Sequence, residues 1–212
     1  MEQVSSTRSE LLARRARIGL ATQGRDLLKE RRTALVREFQ RLGASALDSL
    51  YALDRDAASA SRVLGVAVAA GGPEPVHSAA LAAHGDVELS VLTHNVAGVP
   101  IVEIERGVVE RARTDRGFSL VATRARVDGV AERFEAVLDR LLAVAALELS
   151  VRRLADEIAR TTRRMNALEL VVIPALEAER AHIALVLDER EMEDRVRLRR
   201  VRSRTKRDGP QR

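Results

Sequence analysis

The sequence lacks cysteine and tryptophan, and its aromatic residues are few. Phe39, Tyr51, Phe118 and Phe134 are the only ones in 212 residues. Without cysteine the chain forms neither a disulfide nor a thiolate metal site. Globular cores usually bury several large rings, because each ring removes much apolar area from water. A core built from Leu, Val and Ala instead favours long packed helices over a compact globule.

Long hydrophobic runs are also missing. No stretch approaches about 18 uninterrupted apolar residues, so we predict no direct insertion into a membrane. Residues 1–17 contain no apolar segment of the kind that a secretory signal needs. We therefore expect a chain that stays in the cytoplasm and is at most peripheral to a membrane.

Helix-forming residues dominate what is present. Ala, Glu, Lys, Leu and Arg make up 115 of the 212 residues, above the half that is typical of coiled coils and long helices. Apolar residues recur at three- and four-residue steps over 11–64 and again over 130–186, the second time with a mean step of 3.5 residues. The pattern predicts a mainly α fold in which the N- and C-terminal arms form a long antiparallel, left-handed two-helix coiled coil.

The same pattern predicts the boundaries. We expect a first helix over residues 1–70, a middle region over 71–113, a second helix over 114–204 and a disordered basic tail over 205–212. Pro174 should bend the second helix, because proline removes a backbone donor. The residues predicted to lie in the seam include Leu35, Leu42, Leu50, Ala60, Val130, Phe134, Leu141, Leu154, Thr161, Glu179 and Ile183.

The spacing of apolar residues changes in the middle region. Gly71, Gly72 and Pro73 end the first helical pattern, and apolar residues then alternate with polar ones over about 87–105. Asn95 and Gly98 stand where a turn needs them, so the segment predicts a β-hairpin with its turn within 94–98. Because a two-stranded ribbon is marginal alone in water, the hairpin must pack on the helices or on another subunit.

The sequence contains no pattern for catalysis, metal binding or cofactor binding. The four histidines (His77, His84, His94 and His182) are scattered, with no second ligand at metal-site spacing. Gly71 and Gly72 are followed by proline, not by the Gly-Lys-Ser/Thr of a phosphate loop. We therefore predict no catalytic residue, no metal site and no cofactor.

The last residues carry most of the net positive charge. Residues 195–212 contain nine Arg or Lys against Asp208 alone, in a chain whose formal charge is +5. Such a tail could neutralise nucleic-acid phosphates, or it could complement a helix C-terminus and meet an acidic protein partner. The tail has no aromatic residue for base stacking, which favours a protein partner. A free-standing coiled-coil protein that binds nucleic acid remains the alternative.

Three strings carry a resemblance to a known family. They are SSTRSELLARRARIGLATQGRDLLKERRTALVREF at 5–39, ELSVLTHNVAGVPIVEIE at 88–105, and TTRRMNALELVVIPALEAERAHIALVLDEREMEDRVRLRRVR at 161–202. In this order they closely resemble the D subunit of the V/A-type (archaeal and vacuolar-type) rotary ATPases and ATP synthases. Ala97 stands where that family more often has methionine. Residues 52–86 match little of it, and no role is predicted for them.

The resemblance implies a central-stalk role. It implies a non-catalytic rotor shaft that couples ATP synthesis or hydrolysis to proton or sodium transport, peripheral on the cytoplasmic face of the plasma membrane. The implied partners are the small F subunit of the stalk, the catalytic and regulatory A and B subunits of the head, and the funnel-shaped C/d subunit above the proteolipid ring. No nucleic acid is implied.

Two sets of candidate interface residues follow from this role. Contacts with the head are predicted at Arg8, Arg14, Arg15, Arg17, Arg195, Arg197, Arg199, Arg200 and Arg202. Contacts with the rest of the stalk are predicted at the hairpin, through Glu88, His94, Asn95, Gly98, Glu103 and Glu105.

Overall fold

The computed structural model describes residues 7–83, 86–118 and 125–207, with side chains to residue 203. The structure is mostly helical, with one antiparallel hairpin in the middle of the chain, so the predicted mainly α fold with a central hairpin is confirmed. The elements are α1 (Arg8–Gly71), α2 (Glu74–Ala82), β1 (Leu89–Val96), β2 (Val99–Arg106), a 3-10 turn (Arg113–Asp115), α3 (Ala125–Ala167), a π-helical turn (Leu168–Val172) and α4 (Ile173–Arg207).

Local sequence fixes both ends of α1. The Thr7 hydroxyl accepts a hydrogen bond from the Glu10 N–H at 3.2 Å, as an N-cap threonine does for the unpaired donors of a first turn. At the other end Gly72 adopts a φ of 80°, and its N–H donates to the Val68 carbonyl at 2.8 Å. A left-handed glycine is a common helix terminator, and Pro73, which follows it, begins the next helix, α2, where the His77 N–H donates to the Pro73 carbonyl at 2.9 Å.

The described chain divides into two compact units. The terminal unit comprises residues 7–32 and 160–207, and the middle unit comprises the described residues of 33–159. In the terminal unit the two arms run antiparallel, since Arg8 pairs with Glu191 and Arg14 pairs with Glu179. In the middle unit Asp56 likewise pairs with Arg140 at 2.6 Å.

A π-helical turn interrupts the second arm just before Pro174. The Ile173 N–H bonds to the Leu168 carbonyl, five residues back. A proline ring clashes with the carbonyl four residues earlier, which here belongs to Leu170, inside the widened turn. The wider turn lets the helix continue past Pro174 with one missing donor.

The core of the middle unit joins both arms and the hairpin. Leu35, Leu42 and Leu154 form one buried cluster with Val99 and Ile101 of β2. The prediction that the hairpin must pack on a support is therefore confirmed, and the support is the helices.

The seam prediction is partly wrong. Ala60, Val130, Thr161 and Ile183 are buried as predicted, whereas Leu50, Phe134 and Leu141 are each more than 40% exposed. Apolar spacing alone does not locate the neighbouring element: in the middle unit β2 and residues 111–116 also contact the long helices.

The hairpin turn is shorter than the predicted 94–98. His94 and Asn95 belong to β1, and Val96 pairs with Val99 across the two-residue loop Ala97-Gly98. Both loop residues have positive φ, 50° and 85°, as a type I′ turn requires. Asn95 supports the turn by accepting the Gly98 N–H on its side-chain oxygen at 2.8 Å.

The described second arm begins at Ala125, not at residue 114. Gly117 has a φ of 82°, which a right-handed helix does not accommodate, and residues 113–115 form only a 3-10 turn. The helix then continues to Arg207. Residues 208–212 of the predicted tail lie outside the described residues.

Candidate partner-binding surfaces

The terminal unit brings together the arginines predicted to contact the head, but it uses them differently. Arg14 is 8% exposed, and its guanidinium lies 2.9 Å from Glu10 and 2.6 Å from Glu179. Both contacts are close enough to be ion pairs, but the Arg14 N–H groups do not point at the carboxylate oxygens as hydrogen bonds would require. Arg14 therefore holds the two arms together from inside the helix pair.

Arg8 also pairs within the chain. Its guanidinium donates to the Glu191 carboxylate, and this hydrogen bond holds the pKa of Glu191 below its usual range, with smaller help from the charges of Arg8 and Arg195. Both side chains are well exposed, so the pair adds little to the stability of the fold, although it shows which ends of the two arms lie side by side.

The remaining arginines of this set are exposed. Arg195 lies one turn from Glu191 at 3.5 Å, and Arg197 lies one turn from Glu193 at 3.8 Å, so each arginine shares a face of α4 with its own glutamate. Part of their charge is thus already balanced within the helix. The others are exposed and have no ion pair to a residue that the structure describes; they are Arg15, Arg17, Arg199, Arg200 and Arg202.

Exposed apolar side chains accompany these arginines. Leu12, Leu20 and Leu27 on α1 are all more than 60% exposed. On α4 the exposed apolar residues are Leu185, Met192, Val196, Leu198 and Val201. Single exposed apolar residues are ordinary, but a helix pair with many of them beside unpaired guanidinium groups has the composition of a surface that a protein partner covers.

The hairpin residues predicted to contact the stalk fall into two groups. Asn95 and Gly98 build the turn, and His94 lies near Glu38 of α1, a carboxyl whose pKa is lowered. The main cause of the lowered pKa is the hydrogen bond that Arg41 donates to Glu38. The turn roles of Asn95 and Gly98 are those that the sequence predicted, whereas the position of His94 beside Glu38 is a tertiary feature that the sequence did not reveal.

The three acidic residues form the second group. Glu88, Glu103 and Glu105 are all exposed, and none has an ion pair within residues 7–83, 86–118 and 125–203. The Glu88 carbonyl accepts the Gly107 N–H at 2.9 Å, which extends the hairpin ladder by one bond. The carboxylates themselves remain available to a partner.

Sequence reasoning missed a buried ion cluster at the start of α3. Arg116 is 4% exposed and donates to Asp128 and, at 2.9 Å, to Glu135. Arg113 reaches Asp128 at 2.6 Å and Arg111 reaches Glu135 at 3.4 Å. The only sequence signal was the proximity of an Arg-rich string, 111–116, to two acids seven residues apart on one helix face.

An open cavity of about 370 Å³ lies beside this cluster, within the middle unit. Its walls are mainly apolar, from Leu64, Ala79, Phe134 and Leu138. The charged groups among its lining residues are Arg111, Arg116 and Glu135, and both arginines pair with Glu135.

The described residues form neither a metal-binding cluster nor a membrane-spanning helix. Within them no three His, Cys, Asp or Glu side chains come together as metal ligands do. None of the helices in the described part of the chain is long and apolar enough to span a membrane.

Comparison with known proteins gives one consistent family. The family model for the D subunit of ATP synthase matches residues 10–203. The A-type ATP synthase D subunit of Archaeoglobus fulgidus is 36% identical over 95% of this chain and 97% of its own length. That of Thermococcus gammatolerans is 40% identical over 94% of each chain. The V-type ATP synthase D subunit of Anaeromyxobacter dehalogenans is 40% identical over 96% of this chain and 98% of its own.

Proposed function

Because the chain belongs to the family of ATP synthase D subunits, we propose that it is the central rotor shaft of an A/V-type ATP synthase. In this role it transmits torque between the ion-carrying ring and the catalytic head, and it couples ATP synthesis or hydrolysis to proton or sodium transport. It breaks no bond itself. The observation that carries the proposal is the family match, which spans 10–203 and so includes both arms and the hairpin.

The terminal unit is the part we assign to the A and B subunits of the head. Its two arms are joined from within by the Arg14 ion pairs, while Arg15 and Arg17 point outward. A shaft must keep its own helices in register while its surface meets a succession of different partner surfaces. Interior charge pairing and exterior guanidinium groups fit those two demands, and exposed guanidinium groups remain free to pair with successive acidic residues.

The middle unit is the part we assign to the small F subunit of the stalk and to the funnel-shaped subunit above the ring. It offers an exposed hairpin strand and three unpaired carboxylates. The assignment places the chain on the cytoplasmic face of the membrane, held there by its partners.

Mechanical coupling follows from asymmetry. A helix pair whose faces differ in charge and apolar exposure contacts each catalytic interface differently, so its orientation biases their conformations in turn. Energetically this is a coupling between distant sites, and it acts in both directions: nucleotide turnover turns the shaft, and the turning shaft changes nucleotide affinity.

Rotation of the chain within its complex is the test. Since the chain has no cysteine, Val108→Cys provides a single attachment point at a loop side chain that is 85% exposed. The head of the assembled complex is fixed to a surface and a bead is attached to this cysteine. ATP should drive steady rotation in one direction, whereas a bead attached to the fixed head should not turn.

A further inference from the structure

The two edges of the hairpin differ in how they are protected. The outer edge of β2 is covered by α3: the Ser150 hydroxyl accepts the Val102 N–H at 2.9 Å and donates to the Val102 carbonyl at 3.1 Å. Arg153 donates to the Pro100 carbonyl at 3.2 Å. The backbone N–H and C=O of Val102 therefore point away from β1. Because these groups alternate in direction from one residue to the next, this fixes the direction of the backbone groups along both strands.

The outer edge of β1 follows by alternation. Val102 pairs with Thr93, so Thr93 is in a non-hydrogen-bonded pair and its N–H and C=O point outward. The same holds for Leu89, Val91 and Asn95. In the described part of the chain the sheet has only these two strands, and no backbone hydrogen bond outside the hairpin reaches this edge.

β1 also lacks the residues that usually prevent an exposed edge strand from pairing with another chain. Natural edge strands carry proline, charged residues or bulges that prevent pairing with another chain. β1 reads LSVLTHNV, with no proline, glycine, Lys, Arg, Asp or Glu, and Leu89, Val91 and Leu92 are 45–64% exposed. The neighbouring β2 contains both a proline and charged residues.

The charge beside this edge indicates the chemistry of the occupant. Glu105 pairs with Ser90 and Glu103 pairs with Leu92, so both carboxylates lie on the same face as these two residues. A third strand added to β1 would lie about 10 Å from β2, since neighbouring strands are about 4.8 Å apart. A Lys or Arg on that strand, opposite Ser90 or Leu92, could extend across β1 to a carboxylate.

We propose that the outer edge of β1 binds an extended segment of a stalk partner protein by β-strand addition. The segment has alternating apolar residues over Leu89 and Val91 and Lys or Arg on the face of Glu103 and Glu105. A second copy of this chain fits less well, because β1 has no basic residue to place beside these carboxylates. The inference deepens the proposed stalk role and rests on it for the partner's identity.

Amide exchange resolved by residue tests the pairing directly. In the full chain alone, the amides of Ser90, Leu92 and His94 should exchange slowly, because they bond to β2, while those of Val91 and Thr93 should exchange fast. In the complex with the stalk partner proteins, the Val91 and Thr93 amides should slow by about tenfold or more.

A proline variant separates this pairing from other contacts. Val91→Pro removes one outward N–H and leaves the bonds to β2 intact, and Pro100 already occupies an outward-facing position of β2. We expect Val91→Pro to weaken partner binding about tenfold or more. The matched Val91→Thr, which keeps the N–H, should bind like the unaltered chain. Replacing Glu103 and Glu105 with Gln should weaken binding and reduce its dependence on salt.

The outcomes distinguish this inference from the proposed function. A complex that forms while the Val91 and Thr93 amides still exchange fast overturns strand addition and leaves the stalk role standing. Slow exchange of the same amides in a homodimer of the isolated chain, lost in Val91→Pro, shows a second copy at this edge and also overturns the inference. Failure of every other rotary ATPase component to bind the chain counts against the proposed function itself.

Discussion

Replacing Ser150 with alanine should destabilise the middle unit by much more than the loss of one oxygen atom suggests. Ser150 is 1% exposed and Val102 is 7% exposed, and a single hydroxyl satisfies both the N–H and the C=O of Val102. In Ser150→Ala these two buried backbone groups lose their partner together. No other described side chain bonds to them.

The magnitude follows from the cost of burying polar groups without partners. Each such group costs about 1–3 kcal/mol, and partial access of water favours the lower half of that range, so we expect a loss of about 2–4 kcal/mol. With a urea dependence of about 2 kcal/mol per molar, the middle of the usual range, the unfolding midpoint should fall by about 1–2 M. Because Val99 and Ile101 belong to the core of the middle unit, the loss should affect the whole unit.

Thr161→Val is the matched control. Thr161 is fully buried in the terminal unit, and its hydroxyl has no hydrogen-bond partner within the described residues. Removing a buried hydroxyl that has no partner should leave stability unchanged or raise it by about 1 kcal/mol.

Urea unfolding followed by far-ultraviolet circular dichroism measures both variants, with amide exchange at Val102 as the local readout. A loss below about 0.5 kcal/mol in Ser150→Ala, with the Val102 amide still protected, would refute the reasoning. So would an equal loss in Thr161→Val.

Two further changes test the turn and one ion pair. Ala97 has a φ of 50°, which costs an L-residue about 1 kcal/mol, so Ala97→Asn should raise stability in urea by about 0.5–1 kcal/mol, and a decrease would contradict the type I′ assignment. The hydrogen bond from Arg106 holds the pKa of Asp139 below its usual range, against the effect of burial. A lowered folded pKa contributes stability above the unfolded value of about 3.9 and loses it as pH falls through the folded value. When the pH falls from about 5 to about 2, the Asp139→Asn variant should therefore lose less stability than the unaltered chain. The difference between the two losses should be well under 1 kcal/mol, because both partners are partly exposed. Identical losses in acid would exclude a role for the pair.

Local signals in the sequence predicted much of the fold. The Gly72 terminator and the alternation of the hairpin strands depend on neighbouring residues, so each could be read from a short stretch of sequence. The place where the hairpin docks on the helices could not be predicted, because Ser150 is a single serine in a helix and nothing in its local sequence indicates the strand it contacts. The cluster around Arg116 likewise depends on a tertiary approach between a loop and a helix face.

The candidate surfaces also depend on tertiary contacts that the sequence alone does not reveal. Arg14 stands in a run of similar arginines, and the sequence could not tell which of them faces the opposite arm. Glu179, a charged residue at a predicted seam position, was the signal that one arginine must turn inward. The exposed edge of β1 could not be predicted, because it depends on which side of the hairpin α3 covers.

The proposed role as a rotor shaft is tested most directly by the bead attached through Val108→Cys in a complex whose head is fixed. We expect rotation in one direction for as long as ATP is supplied, at a rate that follows ATP turnover. A bead that stays still, or only fluctuates, while the same complex hydrolyses ATP would contradict the proposed role.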